Sequence, residues 1–179
     1  VWIGRFDPMK RPIQTLRAFA QATPARTILA VAGFPGAFGE AAIREQCGRA
    51  EPMVRYLGPA TGQNRADLFS AADGFVSFSY RENFGYSFAE ALAHGLPCLV
   101  SSGHDLLGDM HDHSVGWVAD SADAWPACFT AFDAAADETL ATIGRANAAW
   151  AGDHLSVERM RRSIRELFPA TPAQAGFEA

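Results

Sequence analysis

The chain has no apolar run long enough to cross a bilayer. Its most hydrophobic stretches, ILAVAGF and PCLVSS, are each about one strand long, whereas a spanning helix needs roughly 20 residues. It also has no basic excess: the net charge is -5, and the basic residues are scattered except in ERMRRSIRE, which carries its own acids and is expected to be a solvated helix face. We therefore expect a soluble, cytoplasmic protein with no nucleic-acid partner.

Cysteine is scarce, and the three thiols, Cys47, Cys98 and Cys128, are far apart among apolar neighbours. That pattern is typical of reduced thiols in a cytoplasmic protein. Nothing near them in the sequence would lower a thiol pKa, so no cysteine nucleophile is expected. The chain begins at Val1 with neither an initiator methionine nor a charged segment followed by an apolar one, which indicates a piece of a longer protein without a signal peptide.

Common nucleotide and metal motifs are missing as well. There is neither a G-x-G-x-x-G fingerprint nor a G-x-x-x-x-G-K-[ST] phosphate loop, which excludes those two ways of holding a nucleotide. The segment HDLLGDMHDH gathers histidines and aspartates, namely His104, His111, His113, Asp105, Asp109 and Asp112. Their spacing fits neither an H-x-x-x-H helix face nor a closed zinc pattern, so we expect a polar loop at the mouth of a crevice and no metal.

What the sequence does contain is an alternation of short apolar runs with longer segments of helical period. That pattern predicts a doubly wound α/β domain, in which helices cover both faces of a parallel sheet. Strands are predicted near residues 1–4, 27–33, 53–57, 74–78, 97–101 and 115–118. Helices are predicted near 12–22, 37–49, 63–72 (with Asn64 as N-cap), 86–94, 121–134, 136–150 and after Ser156. We assign 1–168 to one domain and the Pro- and Ala-rich 169–179 to a loose tail.

The first predicted strand runs into the loop VWIGRFDPMKRP, which carries cations. In an open parallel sheet the carboxyl end of a strand faces the ligand crevice, so Arg5 and Lys10 would lie where a ligand binds. An arginine fork and a mobile lysine suit the oxygens of a diphosphate. The alternative, which this segment alone leaves equally open, is a basic loop paired with nearby acids such as Asp7.

Two glutamates lie eight positions apart in the stretch YRENFGYSFAEALAHGLP. Glu82 follows a central strand, and Glu90 lies about one turn into a helix that starts near Tyr86. Between them Gly85 permits a positive φ or the close approach of a ligand, and the amides of residues 83–86 form an anion site at the helix N-terminus. Carboxylates beside it suit sugar and ribose hydroxyls. The alternative is two ordinary surface acids.

These segments carry a resemblance to a known family. Residues 82–100, ENFGYSFAEALAHGLPCLV, resemble position by position the pattern E-G-F-G-L-x-x-x-E-A-M-A-x-G-x-P-V-V of family 4 of the retaining GT-B glycosyltransferases, whose hallmark is E-x(7)-E. GRFDPMKRP is similar to that family's G-R-L-x-x-x-K-G, and VRYLGPATGQNRADLFSAADGFVSFSYRENFG is similar to its stretch from the third strand to the first glutamate. The resemblance implies the C-terminal, donor-binding domain, with a Rossmann-like fold.

The resemblance also implies roles for individual residues. Arg5 and Lys10 would hold the donor diphosphate and neutralise the departing nucleotide, while Glu82 would bind hydroxyls of the donor sugar. Glu90 would hold the ribose. The remaining donor contacts would come from the amides of the loop and from the chain that borders the base, that is from Asn83, Phe84, Gly85, Tyr86, Tyr56 and Leu57. The family transfers the sugar with retention and needs no protein nucleophile. The absence of a D-x-D motif agrees with metal-independent transfer, so no cofactor is expected.

The expected partners are a nucleotide sugar and, through an N-terminal domain absent here, an acceptor glycan, lipid or small molecule. The full-length enzyme is also compatible with peripheral association at the inner face of a membrane. We expect the isolated chain to show no appreciable turnover, and its last helix to return toward the absent domain.

Two departures from the family pattern and two alternative functions stay open. Arg11 stands where the family has glycine, and SGHDLLGDMHDHSVG replaces its Gly-Gly-x-x-E segment. One alternative is another GT-B enzyme such as a nucleotide-sugar epimerase, which needs catalytic acids and a histidine that the sequence does not locate. The other is a non-catalytic nucleotide-sugar-binding module.

Overall fold

The computed structural model describes residues 1–50, 52–110 and 113–168. Its strands are β1 (Trp2–Phe6), β2 (Leu29–Pro35), β3 (Val54–Gly58), β4 (Phe75–Ser77), β5 (Cys98–Ser101) and β6 (Gly116–Ala119). Its α-helices are α1 (Pro12–Ala22), α2 (Glu40–Gly48), α3 (Gly62–Ala71), α4 (Tyr86–Ala93), α5 (Trp125–Ala134), α6 (Asp137–Leu155) and α7 (Val157–Leu167). Short 3-10 turns span Pro8–Lys10, Asp105–Asp109 and Ala122–Ala124. The predicted α/β class is confirmed.

All strands pair in parallel, in the orders β1-β2-β3 and β4-β5-β6. The two halves meet where the Val76 N–H donates to Val1 O at 2.9 Å. The six predicted strands are present, in two ladders that divide between β1 and β4. The strand order reverses at this point, and ligands of such sheets bind at the reversal, outside the carboxyl ends.

Two apolar clusters hold the helices on the sheet. One is built around Phe6, Phe19, Phe78, Trp125 and Phe129, and the other around Phe69, Phe75, Phe88, Leu92 and Leu96. All of β4 and β5 is buried, as expected for central strands covered on both faces. The stretches predicted as strands from continuous apolar runs are therefore the middle of the core.

Several helix boundaries differ from the predicted ones, and α2 begins at Glu40 rather than near 37. The N-cap at Asn64 was wrong: the N-cap of α3 is Thr61, because Thr61 is extended and Gly62 takes φ +50, which turns the chain into the helix. The segment predicted as a helix over 121–134 begins as a 3-10 turn. α6 continues past 150 to Leu155, since its Ala-rich sequence outweighs the glycine at 152.

The C-terminal third is helical, as predicted. α6 packs against α4, and the buried Asn147 amide donates to Leu96 O at 2.7 Å and Val115 O at 3.1 Å. Ser156 caps α7 by accepting from the Arg159 N–H at 3.2 Å. None of the helices in the described ranges is both long and apolar enough to span a membrane. The tail predicted over 169–179 lies outside the described residues.

Candidate functional site

Three loops that leave the carboxyl ends of β1, β4 and β5 are joined by backbone hydrogen bonds. The Tyr80 N–H donates to Met9 O at 2.7 Å, which ties the loop after β4 to the loop after β1. Glu82 then pairs with the loop after β5, donating from its N–H to Gly103 O and accepting from the Asp105 N–H, both at 2.8 Å. These bonds make one continuous surface at the switch point of the sheet.

Arg5 lies in β1 with its side chain exposed, and its Nε donates to Asp7 Oδ2. Asp7 also accepts from the Ala37 N–H at 2.9 Å. The backbone bond from Ala37 and the bond from Arg5 together lower the pKa of the Asp7 carboxyl. The pairing with Asp7, left open for this loop by the sequence, is thus what the structure shows for Arg5.

Lys10 is brought to the loop after β4, where its Nζ forms an ion pair with Glu82 Oε1. The 3-10 turn Pro8–Lys10 and the left-handed Arg11 bend the chain so that the lysine returns over the sheet edge. Both side chains are largely covered, with 28% of Lys10 and 13% of Glu82 exposed. The residue predicted to hold the diphosphate, Lys10, and the residue predicted to bind the donor sugar, Glu82, therefore neutralise each other.

The loop from Asn83 to Tyr86 turns sharply into α4. Gly85 occupies the N-cap with φ +69 and is buried, while Asn83, Phe84 and Tyr86 are exposed. The rings of Phe84 and Tyr86 meet edge to face at 5.1 Å, at the open side of the turn. The first amides of a helix have no intrahelical acceptor, so the turn offers N–H groups to an anion beside Glu82.

His104 lies beneath that turn and is 2% exposed, so the prediction of a polar loop at the crevice mouth was wrong for this residue. Its Nε2 lies 3.0 Å from Ser77 O and 3.1 Å from Ser77 Oγ. Burial lowers the pKa of His104, which leaves a neutral ring that donates from Nε2. A Cβ on Gly85 would lie 3.0 Å from Nδ1, so the buried ring and the glycine fit each other. Sequence spacing gives no sign of this burial.

The rest of that segment forms no metal site in the part of the chain that the structure describes. His113 faces α6, with Nε2 2.7 Å from Asn147 Oδ1. His111 and Asp112 lie outside the described residues. Among the residues that are described, no group of three or more His, Cys, Asp or Glu is placed to hold a metal ion.

Glu90 lies in α4 and receives a guanidinium fork that the sequence analysis did not anticipate. Arg65 on α3 donates from Nε to Oε1 at 3.0 Å and to Oε2 at 3.1 Å, and its Nη2 also bonds Oε2. The same Nη2 donates to Ser87 Oγ at 2.8 Å. Helical spacing in the sequence could have assigned Arg65 to one face of α3. It could not have shown that this face lies beside α4, because that depends on the tertiary packing of the two helices.

Tyr56 and Leu57 lie on β3, at the outer edge of the first half-sheet. The Tyr56 ring packs against Phe6 at 6.0 Å and lies under Arg44, 4.4 Å from the ring centroid. Burial raises the pKa of Tyr56. The Leu57 side chain is half exposed. The Tyr56 side chain is thus engaged by Phe6 and Arg44 rather than by Lys10 or Glu82. The role predicted for Tyr56 and Leu57, bordering the base, needs only their backbone.

Arg11, where the resembled family has glycine, takes the left-handed conformation with φ 50. Its guanidinium carbon lies 4.9 Å from the ring centroid of Tyr80 and 5.4 Å from that of Trp125. Stacking of this kind offsets part of the backbone cost of a side chain at positive φ. The extra cation therefore packs against aromatic rings beside the site.

Several aromatic and thiol side chains lie in the core. Trp125 and Phe129 are buried, and Trp117 and Phe132 pack against the same cluster. All three cysteines are buried. Burial raises the pKa of the Cys98 and Cys128 thiols, which disfavours a thiolate nucleophile at either position.

A cavity of about 880 Å³ lies at the opposite, amino-terminal edge of the strands. It is lined by Val1, Leu29, Gly74 and Pro97, among others. Ligands of open parallel sheets bind at the carboxyl edge, and the paired site residues are all there. We therefore place the candidate site at the carboxyl edge.

Comparison with known proteins gives matches in both sequence and structure. The family model described as "Glycosyl transferases group 1" matches residues 1–127. The D-inositol 3-phosphate glycosyltransferase of Mycobacterium avium (strain 104) is 31% identical over 180 residues, covering 92% of this chain and 42% of that protein. The chain thus spans about two fifths of that curated relative.

Among solved structures, Anabaena HepE in complex with UDP and glucose superposes with a TM-score of 0.75 at 20% identity, over 93% of this chain and 47% of that one. A sucrose-phosphate synthase from Thermosynechococcus elongatus gives a TM-score of 0.74 at 22% identity, over 95% of this chain and 46% of that one. These structures share the fold of the chain.

Proposed function

The chain belongs to the group 1 glycosyl transferases, and from that membership we propose that it is the donor-binding domain of a family 4 enzyme. In this proposal, the domain binds a nucleoside-diphosphate sugar. A second, N-terminal domain supplies the acceptor, and the sugar is transferred with retention of configuration. The single observation that carries the proposal is the meeting of Lys10, Glu82 and the Gly85 turn at the switch point of the sheet.

The diphosphate would lie between the cations of the first loop and the amides of the Gly85 turn. Lys10 and Arg5 offer charge from one side, and the α4 N-terminus offers N–H groups and the positive end of its dipole from the other. Stabilising the charge that develops on the leaving nucleotide is the largest contribution such a site makes to the transfer. The departing phosphate oxygen would accept the proton of the acceptor hydroxyl, so no protein nucleophile is required.

The donor sugar would take the place of Lys10 as the partner of Glu82. A carboxylate accepts hydrogen bonds only, so hydroxyl donors of a sugar satisfy it while Lys10 turns to phosphate. Glu90 would accept from the ribose, and the backbone at Tyr56 and Leu57 would border the base. The exposed Phe84 and Tyr86 rings stand beside the sugar position.

Two further expectations belong to the proposal. The acceptor is a glycan, a lipid or a small molecule held by the N-terminal domain, with peripheral membrane association of the full-length enzyme in the lipid case. Transfer needs no metal or other cofactor, so binding in the presence of a chelator should equal binding in the presence of magnesium. Among alternatives, the epimerase is disfavoured because His104 is buried beneath Gly85 and its Nε2 is engaged by Ser77.

Calorimetric titration of the 179-residue chain with UDP-, GDP- and ADP-sugars tests the proposal. We expect one nucleotide class to bind, and Lys10→Ala and Glu90→Ala each to weaken it about tenfold, the loss expected for one charge-assisted contact. Arg17→Ala, which removes an exposed cation of α1, serves as the control and should bind like the wild type. Absence of binding by all three classes would refute the donor site.

A further inference from the structure

Arg65 engages both Glu90 and Ser87, which lies one helical turn before Glu90 on α4. The bonds of its side chain in the described residues all go to α4, although Arg65 itself lies in the first turn of α3. A cation in a first turn opposes the helix dipole, so its own helix does not favour it there. The contacts of its guanidinium with Glu90 and Ser87 on α4 explain an arginine at this position.

The fork fixes the plane and the rotamer of the Glu90 carboxylate. Nε bridges both carboxylate oxygens and Nη2 reaches Oε2, so Oε2 accepts twice and Oε1 once. Each carboxylate oxygen can accept two hydrogen bonds, which leaves one acceptor position on Oε1 in a set direction. The guanidinium stands over the Phe69 ring, its carbon 5.3 Å from the centroid, which restrains it from the other side.

Resting on the proposed function, we infer that Arg65 is a positioning residue for ribose recognition. It presents the open position of Glu90 Oε1 to a hydroxyl of the ribose diol and neutralises an acid that would otherwise face the diphosphate. The Ser87 hydroxyl, which accepts from Arg65, keeps its own proton for a second polar contact. The consequence is selectivity: Arg65 contributes to the preference for a ribonucleotide over its 2′-deoxy or 3′-deoxy counterpart.

A purely structural ion pair would not have this consequence. Helix surfaces of this chain carry such pairs, for example Arg49 with Glu45 on α2, where both side chains are more than half exposed. Loss of a pair of that kind lowers the stability slightly and changes the affinity for all ligands by the same factor. The preference for a ribonucleotide over its deoxy form therefore shows whether Arg65 positions Glu90 or only stabilises the fold.

The test is a titration of the 179-residue chain with the nucleoside diphosphate that binds among UDP, GDP and ADP, and with its 2′-deoxy and 3′-deoxy forms. The wild type should prefer the ribonucleotide over at least one deoxy form by about tenfold, the value of one charged hydrogen bond. Arg65→Met should reduce that preference to about twofold, and Arg65→Lys, which restores charge without the fork, should recover little of it. Arg49→Met is the matched control and should keep the full preference. Thermal melts of every variant check that the fold persists.

The remaining outcomes overturn the inference in distinct ways. If Arg65→Met weakens the affinity for ribo- and deoxynucleotides equally, Arg65 contributes only charge or stability. If the variant keeps both the affinity and the ribose preference of the wild type, Arg65 has no role in nucleotide binding. A wild type that binds without any ribose preference refutes the role of Glu90 and with it that of Arg65. If no nucleoside diphosphate or nucleotide sugar binds at all, the proposed function itself fails.

Discussion

At the scale of single residues, the main feature of the site is that its charged groups are paired with one another. Lys10 holds Glu82, Arg5 holds Asp7, and Arg65 holds Glu90. A nucleotide sugar that binds there must exchange the first of these pairs for contacts of its own. The three cations therefore offset the negative charge of the acids, which would otherwise repel an approaching diphosphate.

Glu82→Gln should have opposite effects on the affinities for the nucleoside diphosphate and for the complete nucleotide sugar. Removing the carboxylate frees Lys10, so affinity for the bare nucleoside diphosphate should rise by about fivefold, the value of one partly covered ion pair. Affinity for the nucleotide sugar should fall, because the amide replaces an acceptor of sugar hydroxyls. Calorimetry on both ligands measures the two changes, with Glu45→Gln on α2 as the control. Parallel loss of both affinities would contradict the exchange.

Gly85→Ala should disturb the turn that carries the amides. The residue sits at φ +69, and its new Cβ would lie 3.0 Å from His104 Nδ1. We expect a loss of about 1–2 kcal/mol in the free energy of unfolding, the cost of a side chain in the left-handed region. Gly152→Ala in α6, where a Cβ meets nothing within 4 Å, is the matched control and should be neutral or stabilising. Urea denaturation of both variants measures the change in the free energy of unfolding, and a loss in Gly85→Ala no larger than in Gly152→Ala would contradict the prediction.

His104 should make the stability of the protein fall on mild acidification. Burial holds its pKa in the folded protein below the usual histidine value of 6.5, so the unfolded chain binds more protons as pH falls through 6.5, and stability is lost. Glu82 and Asp105 favour the charged ring and Lys10 opposes it, but desolvation dominates. Urea midpoints at about pH 7.5 and 5.5 should drop more for the wild type than for His104→Asn. Equal drops would contradict the assignment.

At the scale of elements, α7 differs from every other helix described because none of its residues is buried. An apolar stripe runs along α7 at helical spacing, and in this chain it faces solvent; it is formed by Val157, Met160, Ile164 and Leu167. Such a stripe fits the expectation that the last helix returns toward a domain absent here. The core accordingly rests on the helices that cover the sheet.

Substitutions in α7 and α4 should therefore have very different effects. Met160→Ser with Ile164→Ser should change the free energy of unfolding of this chain by less than about 0.5 kcal/mol, as at other surface positions. Leu92→Ala in α4, fully buried, should cost about 2–5 kcal/mol. Chemical denaturation of the two variants is the measurement. A large loss from the α7 variant would show that its apolar face contributes to this fold.

Elements were more predictable than their junctions. Apolar runs of strand length located every strand to within about two residues, because burial on both faces leaves a continuous apolar signature. The N-cap of α3 was wrongly predicted because a glycine at positive φ, not the Asn64 side chain, turns the chain into the helix. Likewise the burial of His104 and the fork of Arg65 depend on loops and helices meeting in space, which local spacing does not encode.

At the scale of the whole molecule, the chain belongs to the group 1 glycosyl transferases and spans about two fifths of a curated relative. In our proposal the carboxyl edge of its sheet is one wall of an active site whose other wall belongs to the N-terminal domain. The isolated chain should thus bind donor but transfer no sugar. Appreciable transfer by the 179-residue chain to any acceptor would contradict this division.

Lys10 is the only lysine of the chain, which allows its ammonium to be observed alone. Reductive methylation with a ¹³C label keeps the positive charge and gives one lysine signal, plus one from the amine of Val1, which lines the cavity at the opposite edge. On titration with the nucleotide sugar that binds, we predict a saturable shift of the Lys10 signal with the Val1 signal unmoved, and no response to the free sugar. A shift of the Val1 signal alone, or no shift at saturating ligand, would contradict a donor site built on Lys10 and Glu82.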